Sequence, residues 1–403
     1  HAAWLSSGWG TCPPRERARV LRKWADLLVE HAPELARLEA VGSTRPIRDA
    51  LAHEVPFSAD CIRFFAECAD KFGGDAVPTR QDSLGLILPE PYGVVGAIAP
   101  WNFPLSMASW KCGPALAAGN AIVLKPSELT PFSTLRFAEL AVEAGVPPGV
   151  FNVVNGLGTG AGAALVRHPL IRKVSFTGST ATGAAIMSVA AHHGMKPVTL
   201  ELGGKSPQII FEDADLDAAI PVVVNAIVQN SGQTCSAGSR VLIQQGIYEP
   251  LLKRLGEAFG RLQVGSAAMN LDLGPLIRAS QLERVTGFLD QARADGIPTV
   301  AKGQIAAGVP AGGFYQAPTL LRDVPVMHKL AQQEIFGPVL CAMRFKGEDE
   351  AVEMANATPF GLVAGVWTRD GARQFRMAKR VRSGQVFINN YGAGGGVELP
   401  FGG

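Results

Sequence analysis

From residue 94 onward, short apolar runs alternate with helix-length amphipathic stretches. The runs 94–99, 121–124, 151–154 and 173–176 are followed in turn by 105–118, 131–144, 162–167 and 181–191. Continuous apolar strands spaced by helices predict βαβ units around a parallel sheet covered on both faces. Upstream, 14–41 carries Val20, Leu21, Trp24, Leu27 and Leu28 at helical spacing beside charged residues. Pro14 suits a first helical turn, and Pro33 is expected to break or restart the helix. A second set of elements follows Glu201: strands at 207–211 and 241–244, helices at 216–229 and 249–262. It continues with strands at 339–345, 362–368 and 386–388 and a helix at 371–381. The predicted fold is α/β, two parallel-sheet lobes meeting near Gly203-Gly204. Residues 73–91 differ: a Gln81-Asp82-Ser83 turn, an apolar run at 84–88, and two prolines around Glu90. They predict a protruding β-hairpin arm, whose open edge calls for a covering partner.

Length supports more than one lobe, since 403 residues is about twice one compact domain. With 47% hydrophobic and 18% charged residues the chain is neither disordered, collagen-like nor coiled coil. A net charge of +2 leaves no footprint for nucleic acid. The longest apolar runs, 94–100 and 220–228, are too short to span a bilayer, and the second contains Asn225. Arg15, Glu16, Arg17 and Arg19 stand where a signal peptide needs an apolar segment. Six cysteines without a C-x-x-C pair fit a reducing compartment. These features predict a cytoplasmic enzyme with neither nucleic-acid nor membrane partners. A start on His1 and a stop on Pro400-Phe401-Gly402-Gly403 read as a fragment.

Some signatures fail. Gly204-Lys205-Ser206 lacks the glycine a P-loop needs five positions earlier, where Thr199 stands. There is no G-x-S-x-G elbow. Histidine spacing offers no metal site: His53-Glu54 has no second histidine in range, and His192-His193 read as exposed residues at a helix end. Gly156, Gly158, Gly160 and Gly162 form a glycine-rich turn after 151–154 that matches G-x-G-x-x-G only loosely, with Ala163 last.

Three segments carry chemistry. Pro100-Trp101-Asn102-Phe103-Pro104 lies at the carboxyl end of an apolar strand, where α/β sheets bind ligands. Asn102 there either donates an amide N–H to an oxyanion or shapes a turn. Phe176-Thr177-Gly178-Ser179-Thr180 ends a strand at a helix start, offering free N–H groups to a pyrophosphate or plain N-caps to the helix. Glu201 follows the strand at 198–200 beside Gly203-Gly204 as a partly buried base or an ion-pair member. Asn230-Ser231-Gly232-Gln233-Thr234-Cys235-Ser236-Ala237-Gly238 puts Cys235 among small polar residues, where a thiolate is reachable. Cys61, Cys68 and Cys341 lie in apolar runs, as structural cysteines do.

These segments, with Gln333-Glu334-Ile335-Phe336-Gly337-Pro338 and Pro400-Phe401-Gly402-Gly403, resemble the motifs of the aldehyde dehydrogenase superfamily in order and spacing over essentially the whole chain. The resemblance implies two Rossmann-like lobes. Residues 1–72 and 92–203 would form the NAD-binding domain, 73–91 an oligomerisation arm, and 204–403 a catalytic domain cut short at its C-terminus. It implies Cys235 as nucleophile, Glu201 as general base and Asn102 as oxyanion donor with the Cys235 backbone N–H. It places Lys125 and Glu128 at the adenosine ribose, with Ser127 between them in the cofactor set, Gly158 and Gly162 on the adenine side, and Ser179 at the pyrophosphate. Glu334 and Phe336 would meet the nicotinamide ribose, and Ile98, Pro100, Trp101, Phe176, Gly178 and Leu202 complete the cofactor set. Phe103, Met107 and Trp110 would line an apolar throat for aliphatic or aromatic aldehydes. No metal is implied, and the full-length parent would be a homodimer or homotetramer.

The implied chemistry is oxidation of a small-molecule aldehyde to its acid through a thiohemiacetal and a thioester on Cys235. Glu128 at the ribose 2′-hydroxyl favours NAD over NADP, while Lys125 keeps NADP as an alternative. The glycine-rich loop 392–396 and Glu398 would shape the mouth of the throat, Glu398 attracting amino-aldehydes. Two rivals stand beside this reading: a CoA-acylating aldehyde dehydrogenase, and a catalytically silent NAD-binding relative.

Overall fold

The computed structural model describes residues 1–392 and 396–402; residues 394 and 395 of the glycine-rich loop lie outside them, as do 393 and 403. The chain forms two compact units, one of His1–Ser43 with Ile47–Glu201, the other of Thr44–Pro46 with Leu202–Gly403.

In the first unit, Pro14 opens the helix Pro14–Glu30. Pro33 falls in the first turn of the next helix, Ala32–Ser43, where a missing N–H is no loss, so it restarts the helix. Leu21, Trp24 and Leu28 are fully buried. Trp24 packs on Phe137, ring centroids 4.3 Å apart. Strands β1 (Asp75–Val77) and β2 (Gly85–Ile87) pair antiparallel as the expected hairpin. Leu84 and Leu88, beside β2, are 78% and 67% exposed.

Five parallel strands follow: β3 (Val94–Ile98), β4 (Ala121–Lys125), β5 (Phe151–Val153), β6 (Lys173–Thr177) and β7 (Val198–Glu201). Their order is β5-β4-β3-β6-β7, so the winding reverses between β3 and β6. Strand carboxyl ends at such a reversal open a crevice. All five residues of β3, the central strand, are buried, which its uninterrupted apolar sequence requires.

The second unit holds β8 (Pro207–Ile210), β9 (Arg240–Gln244), β10 (Gln263–Val264), β11 (Thr299–Lys302), β12 (Gln304–Ile305), β13 (Thr319–Leu321), β14 (Val339–Phe345), β15 (Val363–Trp367) and β16 (Gln385–Ile388). Seven form one sheet, ordered β11-β13-β14-β9-β8-β15-β16. It is parallel except at its edge, where β11 runs against β13. Both faces are covered. Ile209 and Leu242 enter one apolar cluster, while Ile210, Val241 and Ile243 enter the other, as alternation along a strand dictates. Helices Val55–Cys68, Ala279–Ala294 and Glu348–Asn356 and strands β10 to β13 go beyond the elements read from the pattern. The strands are too short, or too polar at the sheet edge, to stand out as apolar runs.

Candidate active site

Two groups of side chains form, one in each unit. In the first, β3 ends at Ile98 and the chain runs through Pro100 and Trp101 to Asn102, which is 6% exposed. Phe103 caps the helix Pro104–Ala117. Along it positions 103, 107 and 110 are half-buried, while 104–106, 108 and 109 are buried. Phe103, Met107 and Trp110 thus share one open stripe at helical spacing. Phe57 meets Trp110 edge-on at 5.7 Å, an aromatic neighbour not anticipated from sequence.

Lys125 closes β4 almost fully buried, its Nζ donating to the Pro126 carbonyl at 2.7 Å and to Glu128 Oε2 at 3.4 Å. The Ser127 hydroxyl accepts from Leu129 N at 3.2 Å. Gly158–Gly162 forms a wide five-residue turn. Side chains at 158 or 160 would meet open space, whereas one at 162 would face Lys125 Cδ at 3.6 Å and Ile98 Cδ1 at 3.9 Å. After Phe176 and Gly178, Ser179 caps the helix Thr180–His192 by accepting from Thr182 N. A buried glycine beside the β3 and β4 ends, exposed glycines in the same turn, a lysine–glutamate pair and an exposed helix start gather at the carboxyl ends of the sheet. That suits a dinucleotide.

The β6–β7 register sets Glu201 beside Thr177. The Thr177 hydroxyl accepts from Lys111 Nζ at 2.7 Å, and Ser175 Oγ accepts from the same ammonium at 3.2 Å. Burial pushes the Glu201 carboxyl up to about 7, opposed by the Lys111 charge. Burial pushes Lys111 down to about 8, opposed by Glu201. Lys111 escaped the sequence reading; a lone lysine inside an otherwise apolar helix was its signal.

In the second unit, the helix Leu216–Val228 ends before a left-handed run at Asn230 (φ 50°), Ser231 (φ 56°) and Gly232 (φ 72°). A Cβ on Gly232 would lie 2.2 Å from the Gly337 carbonyl carbon, so only glycine lets these backbones touch. Ser231 Oγ donates to Gly274 O at 2.7 Å, and Gln233 Oε1 accepts from Ile277 N at 3.0 Å. Half-buried Cys235 follows this anchored turn. The Tyr391 hydroxyl donates to the Ser236 carbonyl at 2.6 Å, fixing the next residue. Burial raises that phenol well above its ordinary value, and the Cys235 charge raises it further.

Glu334 Oε1 accepts from Gly204 N at 3.2 Å; a Cβ on Gly203 would strike the same carboxylate and one on Gly204 would lie 2.5 Å from the Cys235 carbonyl oxygen, which explains the paired glycines. Burial raises the Glu334 carboxyl against the Gly204 amide, Arg284 and Lys205. Phe336 takes φ 61°, unusual for a bulky residue. Its carbonyl accepts from Gln281 Nε2 at 2.7 Å, and Arg284 donates to the carbonyls of Ile335 and Glu334. Gln281, Arg284 and Tyr391 were not singled out from sequence, where no spacing ties them to the motifs. Leu202 is half-buried and Glu398 exposed. Among the described residues no cluster of His, Cys, Asp and Glu could hold a metal, and no helix is long and apolar enough to cross a membrane.

A crevice suited to a dinucleotide and a carboxyl tuned near neutrality in one unit, and a half-buried thiol on a braced loop in the other, are features that fit an α/β oxidoreductase. The chain belongs to the aldehyde dehydrogenase family, whose model matches residues 1–403. It is 43% identical over 396 residues to the betaine aldehyde dehydrogenase of Cereibacter sphaeroides, covering 98% of this chain and 80% of that protein. Among solved structures it resembles a candidate aldehyde dehydrogenase from Burkholderia cenocepacia, with 56% identity, TM-score 0.97, and coverage of 100% and 85% of the two chains. It also resembles the NAD+ complex of an aldehyde dehydrogenase from Bacillus cereus, with 42% identity, TM-score 0.94, and coverage of 98% and 79%. The chain is therefore an aldehyde-oxidising enzyme of α/β fold.

Proposed function

We propose that the chain oxidises an aldehyde to its carboxylic acid with NAD, through covalent intermediates on Cys235. The observation that carries this reading is Glu201, a carboxyl raised to about 7 by burial at the end of β7, in a chain of this family. A base with a pKa near the working pH is what deacylation by water requires. Bound NAD, as in the Bacillus cereus relative, supplies the hydride acceptor. Lys125 and Glu128 would hold its adenosine ribose, Gly158 and Gly162 its adenine side, Ser179 its pyrophosphate, and Glu334 with Phe336 its nicotinamide ribose. Ile98, Pro100, Trp101, Ser127, Phe176, Gly178 and Leu202 would complete that surface.

Cys235 attacks the aldehyde carbon, forming a thiohemiacetal, and Glu201, directly or through water, takes the thiol proton. The Asn102 amide and the Cys235 backbone N–H stabilise the oxyanion. Loss of that carbon's hydride, for which bound NAD would be the acceptor, leaves a thioester on Cys235. After releasing the thiol proton to solvent, Glu201 deprotonates the water that hydrolyses the thioester and passes that proton to the departing thiolate, releasing acid and restoring the thiol. The base supports hydrolysis over transfer to CoA. The test is NADH formation with and without CoA: equal rates and acid product support the reading, and CoA-dependent turnover with an acyl-CoA product refutes it. Cys235→Ala must abolish turnover.

Glu128, paired with Lys125, favours NAD. If Glu128→Ala leaves the ratio of kcat/KM for NAD and NADP unchanged, that assignment fails. The stripe of Phe103, Met107 and Trp110 favours aliphatic or aromatic aldehydes, and exposed Glu398 favours those carrying an amino or ammonium group, as betaine aldehyde does. A panel with betaine aldehyde, a neutral aliphatic aldehyde and an aromatic one ranks them, and Glu398→Gln reads out the charge. The exposed hairpin at Leu84, Leu86, Ile87 and Leu88 supports assembly into a homodimer or homotetramer, read by light scattering. The cytoplasm, where thiols stay reduced, suits a cysteine enzyme.

A further inference from the structure

The helix that follows Asn102 is gripped at its first turn by two buried carboxyl groups that the chemistry above leaves unused. The opening amides of a helix have no partner within it. Glu54 Oε2 accepts from the Ser106 hydroxyl at 2.5 Å. Glu39 Oε1 faces Leu105 N at 3.5 Å, while its other oxygen accepts from the Ser133 hydroxyl at 2.5 Å. Glu39, Glu54, Leu105, Ser106 and Ser133 are all at most 5% exposed. Glu54 ends the wide turn Ala50–Glu54, and its carbonyl accepts from Ser58 Oγ at 2.7 Å. Glu39 belongs to the helix Ala32–Ser43. Two separate elements therefore hold one short stretch.

Burying a carboxyl group is costly unless its oxygens are hydrogen-bonded, so a chain keeps two in one place for what they hold. What they hold begins three residues after Asn102. Ser106 lies about one helical turn beyond it, and Met107 N donates to the Phe103 carbonyl at 2.9 Å, so the turn is continuous with the segment carrying the amide. We propose that Glu54 and Glu39 are positioning residues that fix the first turn of the helix Pro104–Ala117 and, through it, the oxyanion-donating amide of Asn102. The proposal rests on the reading of Asn102 given above. An oxyanion donor acts only when held at hydrogen-bond distance from where the charge develops, and a misplacement of about 1 Å can cost about 10²-fold in rate.

The test compares Ser106→Ala, Glu54→Gln and Glu39→Gln in the wild-type chain and in an Asn102→Ala background, measuring kcat, the KM for aldehyde and the Kd for NAD. In the wild-type background each lowers kcat by about tenfold and leaves the Kd for NAD unchanged. With Asn102→Ala already present the same changes lower kcat no further, because no donor remains to be misplaced. An equal fall in both backgrounds, or a loss of NAD affinity parallel to the fall in kcat, overturns the proposal. Full kcat in Asn102→Ala removes the oxyanion reading itself, a separate outcome. Should the glutamate variants fail to fold by circular dichroism, Ser106→Ala carries the comparison, since it deletes one hydroxyl from the same contact.

Discussion

Replacing Lys111 by methionine isolates the charge balance around Glu201. Methionine keeps the unbranched apolar stem that the helix Pro104–Ala117 buries and removes only the ammonium. The lift of Glu201 from 4.5 to about 7 corresponds to charge disfavoured by on the order of 2–3 kcal/mol, allowing for solvent screening of a half-buried group. Burial sets that lift, and Lys111 restrains it. An opposite charge close by typically lowers a carboxylate pKa by about one unit or more. Without the ammonium, the charged form of Glu201 loses support and its pKa rises. In the proposed mechanism hydrolysis of the thioester needs Glu201 deprotonated, so the acid limb of kcat moves upward.

With the wild-type limb centred near 7, about half the enzyme carries an active base at that pH. A rise of about one unit leaves roughly a tenth, so kcat at neutrality falls about fivefold and recovers in alkali. The assay is steady-state kcat from acid to alkaline pH with saturating aldehyde and NAD, alongside circular dichroism, since Lys111 also bonds Ser175 and Thr177. A folded Lys111→Met variant whose acid limb stays in place, or moves to lower pH, refutes the electrostatic reasoning. Glu201→Gln must remove the limb; if it persists, it belongs to another group.

Three further outcomes follow from the same geometry. The folded chain holds the Glu201 proton more tightly than an unfolded chain, so this carboxyl contributes stability that is present below about 4.5 and lost as pH rises through about 7. Tm in Glu201→Gln should therefore fall less than wild type across that interval. Gly232→Ala combines a left-handed φ with a Cβ 2.2 Å from Gly337, and should cost at least about 2 kcal/mol in urea unfolding. Gln281→Ala removes the amide that holds the strained Phe336 carbonyl, and should raise the KM for NAD several-fold while changing kcat less than about twofold.

The central strands of both sheets were legible because a strand buried on both faces must be apolar, as β3 is throughout and β14 is but for exposed Arg344. The hairpin was legible from its turn and its run of leucines. Edge strands such as β11 and β12 left no trace, since exposure removes the constraint that makes a strand apolar. The motif residues were readable for a different reason: a thiol among small polar residues and a carboxylate after an apolar strand are chemically out of place where they stand. The groups that tune or brace them were not. Lys111 acts on Glu201 only because β6 pairs with β7 in the register that sets Thr177 beside Glu201. Ser106 meets Glu54 across 52 residues of chain. Such a pairing is a property of packing, and the residue type shows only that a buried polar group must find a partner somewhere. A lysine in an apolar helix or a glutamate in a buried turn is thus a sequence-level sign of a contact whose other half only the fold supplies.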